Sequence, residues 1–526
     1  MKKTAFMILA AAAMLTAACS SDEDAQQQTA LSEGGWSEYV TVTAGTPGNA
    51  GSSAGGPKRV KVNTENPQKS LWETGDKLTI WTGETCSTAN MSQSEFTLTS
   101  GADTGTGKFS GRLTSTSAPT SSTKLIAIID NGSDAIDASA GNSVSADLSE
   151  QEGATAASAL DYELFYATST NGARSFTFTH KMALIKWTIK VNGASDNDVC
   201  DIVLSGTGLK NSATLDPATG TLTVGSNDGT ITLKDVTLTS AASTELYVVL
   251  PPCTVSSGIT ATLTMTSGDK SGYITAGNLG DGSSITVAAN KYYTAGPNEF
   301  TLPEYVDLGL PSGTKWATYN VGASSPEEYG LFFAWGETTG YTSSTDGMSQ
   351  SGTTYSGYTD HSFDWASYTK FGTYDITDET DYGFTKYNKT NGPTTLEAAD
   401  DAATANWGSA WRMPTQTQMQ ELLTQYPYNA TSGSKRCCWT SDYNSTGVAG
   451  LAFYDASDNI LFFLPAAGYR DDTGLNRRGA NGSYWSSSLY VSNAIRAYIL
   501  LFASGGSFVG NSNRRNGLSV RPVLAQ

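Results

Sequence analysis

The stretch Ala183-Leu184-Ile185-Lys186-Trp187-Thr188-Ile189-Lys190-Val191 decides the fold. Ala183, Ile185, Trp187, Ile189 and Val191 alternate with Lys186, Thr188 and Lys190. A period of two puts the apolar side chains on one face of a β-strand and the polar ones on the other. Ile259, Ala261, Leu263 and Met265 repeat the pattern against Thr260, Thr262, Thr264 and Thr266. Leu125-Ile126-Ala127-Ile128-Ile129 is apolar throughout and reads as a strand buried on both sides. Asp216-Pro217-Ala218-Thr219-Gly220, Asn227-Asp228-Gly229 and Ser267-Gly268-Asp269 are turn signals between such runs. Many short strands joined by polar turns predict β-sandwiches. The span 36–300 is long for one sandwich, so two are expected in tandem, over 36–175 and 176–300. His180, alone in an apolar strand, reads as a hydrogen-bonded core residue.

Two blocks in this span carry a family resemblance. One is Trp72-Glu73-Thr74-Gly75-Asp76-Lys77-Leu78 followed by Ile80-Trp81; the other is Phe176-Thr177-Phe178-Thr179-His180-Lys181-Met182-Ala183-Leu184-Ile185-Lys186. They resemble the fimbrillin-like surface lipoproteins. The resemblance implies transthyretin-like sandwiches and assembly with pilus subunits through donated β-strands. In related pilins a protease removes an N-terminal strand after an Arg, and Lys58-Arg59 in a Gly-rich loop is the place where such processing would fall.

The N-terminus reads as an export signal. Lys2 and Lys3 precede an uncharged run from Thr4 to Ala18, which ends at Cys19. That is a secretory leader over 1–18, too short for a membrane span. Ala17-Ala18-Cys19 resembles a lipobox, with Thr16 where Leu is usual, so Cys19 is the expected acylation site. Ser20-Ser21-Asp22-Glu23-Asp24 resembles a surface-export signal, and 19–35 reads as lipid anchor and tether. The expected location is the outer membrane, facing outward, with the lipid as the membrane partner. The formal charge of −18 argues against a nucleic-acid partner.

After Pro297 and Pro303, Tyr and Trp become dense. Two helices are predicted there. One follows a capping box at Thr394-Thr395-Leu396-Glu397 and runs to about Asn406. The other follows Thr415-Gln416-Thr417-Gln418, with Met419, Leu422, Leu423 and Tyr426 on one face. Tyr305-Val306-Asp307-Leu308-Gly309-Leu310-Pro311-Ser312-Gly313-Thr314-Lys315-Trp316-Ala317, Phe333-Ala334-Trp335-Gly336-Glu337 and Trp407-Gly408-Ser409-Ala410-Trp411-Arg412-Met413-Pro414-Thr415 resemble the Fibrobacter major paralogous domain. Leu464-Pro465-Ala466-Ala467-Gly468-Tyr469-Arg470, Tyr484-Trp485-Ser486-Ser487-Ser488 and Ser519-Val520-Arg521-Pro522-Val523 complete the match in order. That domain has a C-type-lectin-like fold. The expected architecture is therefore mostly β: two tandem transthyretin-like β-sandwiches, then an α+β C-type-lectin-like domain over 301–526 that carries its own helices, strands and aromatics and is expected to fold alone.

Catalytic patterns are sparse. The chain has two His and no P-loop or His-Glu-x-x-His string, so no enzyme, cofactor or metal is expected. One enzyme class with a related fold, the formylglycine-generating oxygenases, uses paired Cys. The adjacent Cys437 and Cys438 would point to opposite faces of a strand, which speaks against that reading. The leading expectation is a fimbrial-type adhesin displaying a C-terminal domain for a protein or glycan ligand; the alternative is a structural pilus subunit without a ligand of its own.

The ligand site is expected in 476–516. Between 470 and 521, seven Arg (470, 477, 478, 496, 514, 515, 521) stand against Asp471 and Asp472, a local excess of five positive charges in an acidic chain. In Tyr498-Ile499-Leu500-Leu501-Phe502-Ala503, family matching assigns Tyr498, Leu500 and Phe502 to the core, leaving Ile499, Leu501 and Ala503 on an open face. Asn476, Asn481, Asn493, Asn511, Asn513 and Asn516, set between Trp485, Gly505 and Gly517, resemble the variable region of retroelement-diversified lectin-like proteins. Tyr490, Ile495, Arg496, Ile499, Leu501, Val509, Arg514 and Arg515 are the expected contact residues, with Trp485 and Arg521 as frame. Acylation requires the Cys19 thiol, so Cys19→Ala is expected to abolish palmitate labelling and shift the protein from the membrane to the soluble fraction; labelling that persists would refute the lipobox reading.

Overall fold

The structure is a computed structural model that describes residues 36–45, 61–62, 70–71, 77–83, 92–100, 102, 106–115, 118–130, 135–138, 143–156, 158–239, 243–256, 258–279, 283–341 and 362–525. The leader, Cys19, the tether, Lys58-Arg59 and Trp72 to Asp76 lie outside the described residues.

Strand Lys124–Asp130 shows how the first unit is built. Leu125, Ala127 and Ile129 enter a core with Phe96, Phe109 and Phe176. Ile126 and Ile128 enter a different one with Trp81, Met182 and Val249. The run is apolar at every position because both of its faces are covered. It belongs to an eight-stranded sheet in the order Ser175–Thr177, Trp36–Gly45, Thr106–Ser115, Ser92–Ser100, Lys77–Gly83, Lys124–Asp130, Phe165–Thr170, Thr179–His180. The first core draws all its buried members from this one sheet and its connections, so the sheet curls around it. Trp36–Gly45 pairs with Thr106–Ser115 along its full ten residues.

The second unit faces a five-stranded sheet (Glu150–Glu152, Ile231–Thr237, Val199–Ser205, Ile259–Met265, Ile274–Leu279) with a three-stranded one (Thr244–Leu250, Ala183–Asn192, Lys291–Thr301). Trp187, Ile189 and Val191 pack with Ile202, Leu204 and Leu263 between them, as the period-two pattern requires. The division at 175/176 needs correction. Val144–Asp147 pairs with Ser212–Asp216 and Glu150–Glu152 with Ile231–Thr237, so 144–152 belongs to sheets of the second unit. Ser175–Thr177 and Thr179–His180 still belong to the first. The chain crosses early and returns, which lets Trp81, Ile126 and Ile128 share a core with Leu184, Ala213 and Leu215. His180 lies at this crossing, buried, with Nδ1 3.1 Å from Glu163 Oε2.

In the C-terminal domain Lys315–Ala317 and Trp411–Arg412 flank Val523–Leu524, so its two ends close on one sheet. Helix Gln416–Gln425 is capped as expected: Thr415 accepts from Gln418 N, and Gln418 reaches back to the cap backbone. Met419 and Leu422 are buried beneath it. The other capping box does not form. The helix is shorter, Ala402–Trp407, and its cap is Asp401, which accepts from Ala403 N and Thr404 N. The backbone around Thr394 is instead paired with the strand end, Leu396 N donating to Ser487 O and Leu489 N to Thr394 O, so it is not free to start a helix.

This domain is not independent of the sheets before it. Trp411 meets Tyr273 edge-on with ring centroids 5.4 Å apart and Trp407 at 5.3 Å. A Cβ on Gly408 would lie 1.8 Å from Gly272 O, so the two backbones touch. One core runs through the junction, from Trp187 to Trp335. Trp411→Ala is expected to cost about 3–5 kcal/mol, read as a lower urea midpoint of the full chain, and the isolated 301–526 fragment is expected to melt below the full chain because it exposes Trp407 and Trp411.

Candidate functional site

Strands Asn481–Leu489, Arg496–Ala503 and Gly506–Asn513 form an antiparallel sheet at the heart of the expected site. Tyr484, Leu500 and Phe502 pack with Trp316, Met419, Tyr426 and Phe462. Trp485, Ala497 and Ile499 pack on the opposite face with Trp335, Phe371 and Leu518. The open face expected for Ile499, Leu501 and Ala503 is therefore corrected. Ile499 is buried, and Leu501 is half-buried against the same core. Both faces of the strand carry apolar side chains because both are covered. Tyr498, assigned to the core, is instead half-buried and sits edge-on to Tyr490 at 5.2 Å.

Arg514 is the larger correction. It is 0% exposed. Its Nε donates to the Tyr368 hydroxyl at 3.0 Å, and Nη1 donates to Tyr387 O and Ala494 O, each at 3.0 Å. The guanidinium lies 4.4 Å from the Phe384 ring centroid and 4.8 Å from that of Trp335, with Phe371 and Tyr368 close by. Neutral oxygens and aromatic faces stabilise the desolvated charge together. Burial pushes the Tyr368 phenol up to about 12. Arg521 is also buried, donating to Asn320 Oδ1 at 2.7 Å and to Thr318 O at 2.8 Å. With Arg470 buried as well, three of the seven Arg are interior, and the excess of surface charge largely disappears.

The remaining expected residues fall in different places. Arg515 is half-buried and pairs with Asp472 at 3.0 Å. Ile495 and Val509 are half-buried against separate cores. Arg496 is exposed, with Nη1 donating to Asn511 Oδ1 at 2.9 Å. Tyr490 N donates to Arg496 O at 3.0 Å, which closes the 490–496 turn and sets Tyr490 beside Arg496. The structure thus brings together Tyr490, Arg496, Tyr498 and Asn511. Leu501 and Val509 lie further along the sheet. The sequence reasoning missed Val491, 45% exposed, and Phe508, 55% exposed. Phe508 pairs with Leu501, away from Arg496. An apolar residue in a turn or on an edge strand, next to Ser and Gly, was the available signal.

A second polar cluster lies nearby. Burial pushes the Asp400 carboxyl up, but Lys370 at 2.8 Å, Lys386 at 2.6 Å and the Tyr387 hydroxyl at 2.7 Å outweigh this and hold it at about 2. Cys437 is buried, and burial raises its thiol to about 12, while Cys438 is half-buried on the other face of the strand. The two thiols do not converge on one ligand. Among the described residues no group of three or more His, Cys, Asp or Glu is placed to hold a metal, and no helix is long and apolar enough to cross a membrane.

Curled and layered β-sheets carrying a terminal α+β domain define a β-sandwich protein with an appended module. Residues 59–296 match the family described as fimbrillin-like. Residues 452–523 match a family described as a domain of unknown function. Among solved structures, a candidate cell adhesion protein from Bacteroides uniformis is 18% identical, covering 50% of this chain and 92% of that one, with a TM-score of 0.32. The tip fimbrial protein Mfa3 from Porphyromonas gingivalis, truncated at its C-terminus, is 12% identical over 49% of this chain and 93% of its own, with a TM-score of 0.26. No curated protein matches.

The burial difference between the two arginines gives a direct test. Arg514→Ala is expected to lower stability by about 3 kcal/mol or more, and Arg496→Ala by no more than about 0.5 kcal/mol, both from urea unfolding of the full chain.

Proposed function

We propose that the chain is a fimbrial-type cell-surface adhesin, tethered by lipid at Cys19, whose C-terminal domain of C-type-lectin-like build holds a protein or glycan ligand at the 490–496 turn. The observation that carries the reading is a contrast within one sheet. The strand frame is buried on both faces, while the tip presents exposed Arg496 and Val491 beside the half-buried ring pair Tyr490–Tyr498. A recognition tip on an immobile frame is how binding loops are usually arranged. Aromatic and Arg side chains are the types that dominate binding energy. The expected contact set is therefore narrowed to Tyr490, Arg496 and their neighbours Tyr498 and Asn511, with Ile499 and Arg514 reassigned to the interior.

One observation favours the second reading, a structural pilus subunit. Strand Trp36–Gly45 is seated in a sheet with partners on both sides and precedes Lys58-Arg59. A strand so placed suits exchange between subunits by donation. A shaft subunit would dominate purified pili, whereas an adhesin would be a minor component. Arg496→Ala and Tyr490→Ala in the full chain are each expected to weaken binding to target cells by about 2 kcal/mol, roughly thirty-fold, with an unchanged melting midpoint. Normal binding by both folded variants would place the ligand elsewhere.

A further inference from the structure

Between the two facing sheets of the second unit lies a cleft of about 440 Å³. Trp187, Leu204 and Leu250 form its buried floor; Leu279, Ile285 and Tyr293 form its half-buried rim. Protein interiors hold few voids larger than a water molecule, while small-molecule sites span roughly 300–1,000 Å³ and are mostly apolar. None of the lining residues among those described carries a charge. Its polar groups are few and largely engaged. Trp187 Nε1 donates to Asn298 Oδ1 at 2.9 Å, and the Tyr293 hydroxyl accepts from Ala288 N at 3.0 Å.

Two edge strands, Ile274–Leu279 and Lys291–Thr301, border the mouth, which raises the question of whether an added strand fills it. The second edge is poorly suited to that. Its pairing with Ala183–Asn192 slips at Gly296-Pro297, where a bulge interrupts the ladder. Pro297 has no N–H to offer, and bulges and prolines are how sheet edges resist pairing. Gly296 is fixed in place, because a Cβ there would sit 2.2 Å from Thr188 O.

We infer that this cleft binds a compact, uncharged, apolar small molecule. The test titrates the full chain with the uncharged fluorophore N-phenyl-1-naphthylamine and competes it with 1-decanol, decanoate and a peptide of sequence Trp36–Gly45. One saturable site is expected, displaced by 1-decanol, with decanoate weaker by roughly tenfold or more and no displacement by the peptide. Ala295→Phe and Leu279→Trp, which fill the mouth, are expected to weaken the probe by a similar factor without lowering the melting midpoint. The inference is overturned by non-saturable binding, by decanoate competing as well as the alcohol, by displacement with the peptide, which would make the cleft a strand acceptor, or by parent-like binding in a folded filling variant. The competitor series needs no variant, so it decides the matter even where a substitution unfolds the chain.

Discussion

A strand that is apolar on both faces has to be covered twice, and this constraint organises the molecule. Lys124–Asp130 obeys it by lining the curled first core with Leu125, Ala127 and Ile129 and the shared core with Ile126 and Ile128. The two sheet units are joined because that second face has to be hidden. Ala183–Asn192 does so only at its start, where Leu184 enters the shared core and Trp187 the core of the second unit, while Lys186, Thr188 and Lys190 leave the rest of one face polar. In the C-terminal domain Arg496–Ala503 repeats the arrangement, with Leu500 on one side and Ile499 on the other. Three strands thus join four cores, at about 25 cal/mol for each Å² of apolar surface removed from water.

How much of this the sequence revealed follows from the same rule. Leu125-Ile126-Ala127-Ile128-Ile129 was legible as two-sided because no polar residue breaks it. Tyr498-Ile499-Leu500-Leu501-Phe502 is likewise free of charged residues, with the same outcome for Ile499, yet family matching assigned one of its faces to solvent. The apolar run itself was the better guide. Thr415 and Gln418 were legible because a capping box is local, closed within four residues. The crossing of 144–152 into the second unit was not, because period-two strands look alike whichever sheet accepts them.

The arginines expose a different limit. A run of Arg with few Asp reads as a basic surface only if every side chain reaches water. Arg514 is enclosed by Trp335, Tyr368, Phe371 and Phe384, residues more than a hundred positions upstream, and no local pattern reports that arrangement. The aromatic density after Pro303 was the one hint that cations would find rings to lie against. Arg496, whose partner Asn511 is a cross-strand neighbour, stayed where a short-range reading put it. The exposure of Arg496 was therefore legible from neighbouring sequence, and the burial of Arg514 and Ile499 was not.

The backbone contact at Gly272 and Gly408 has a consequence for inheritance. Terminal modules are often imagined as interchangeable, traded between genes by recombination at a linker. Here the docking surface is distributed across both partners, with Tyr273 on one side of the breakpoint and Trp411 on the other. A transplanted module would arrive without its matching glycine and ring. Recombinants should therefore survive mainly when Gly272 and Tyr273 travel together with Gly408 and Trp411.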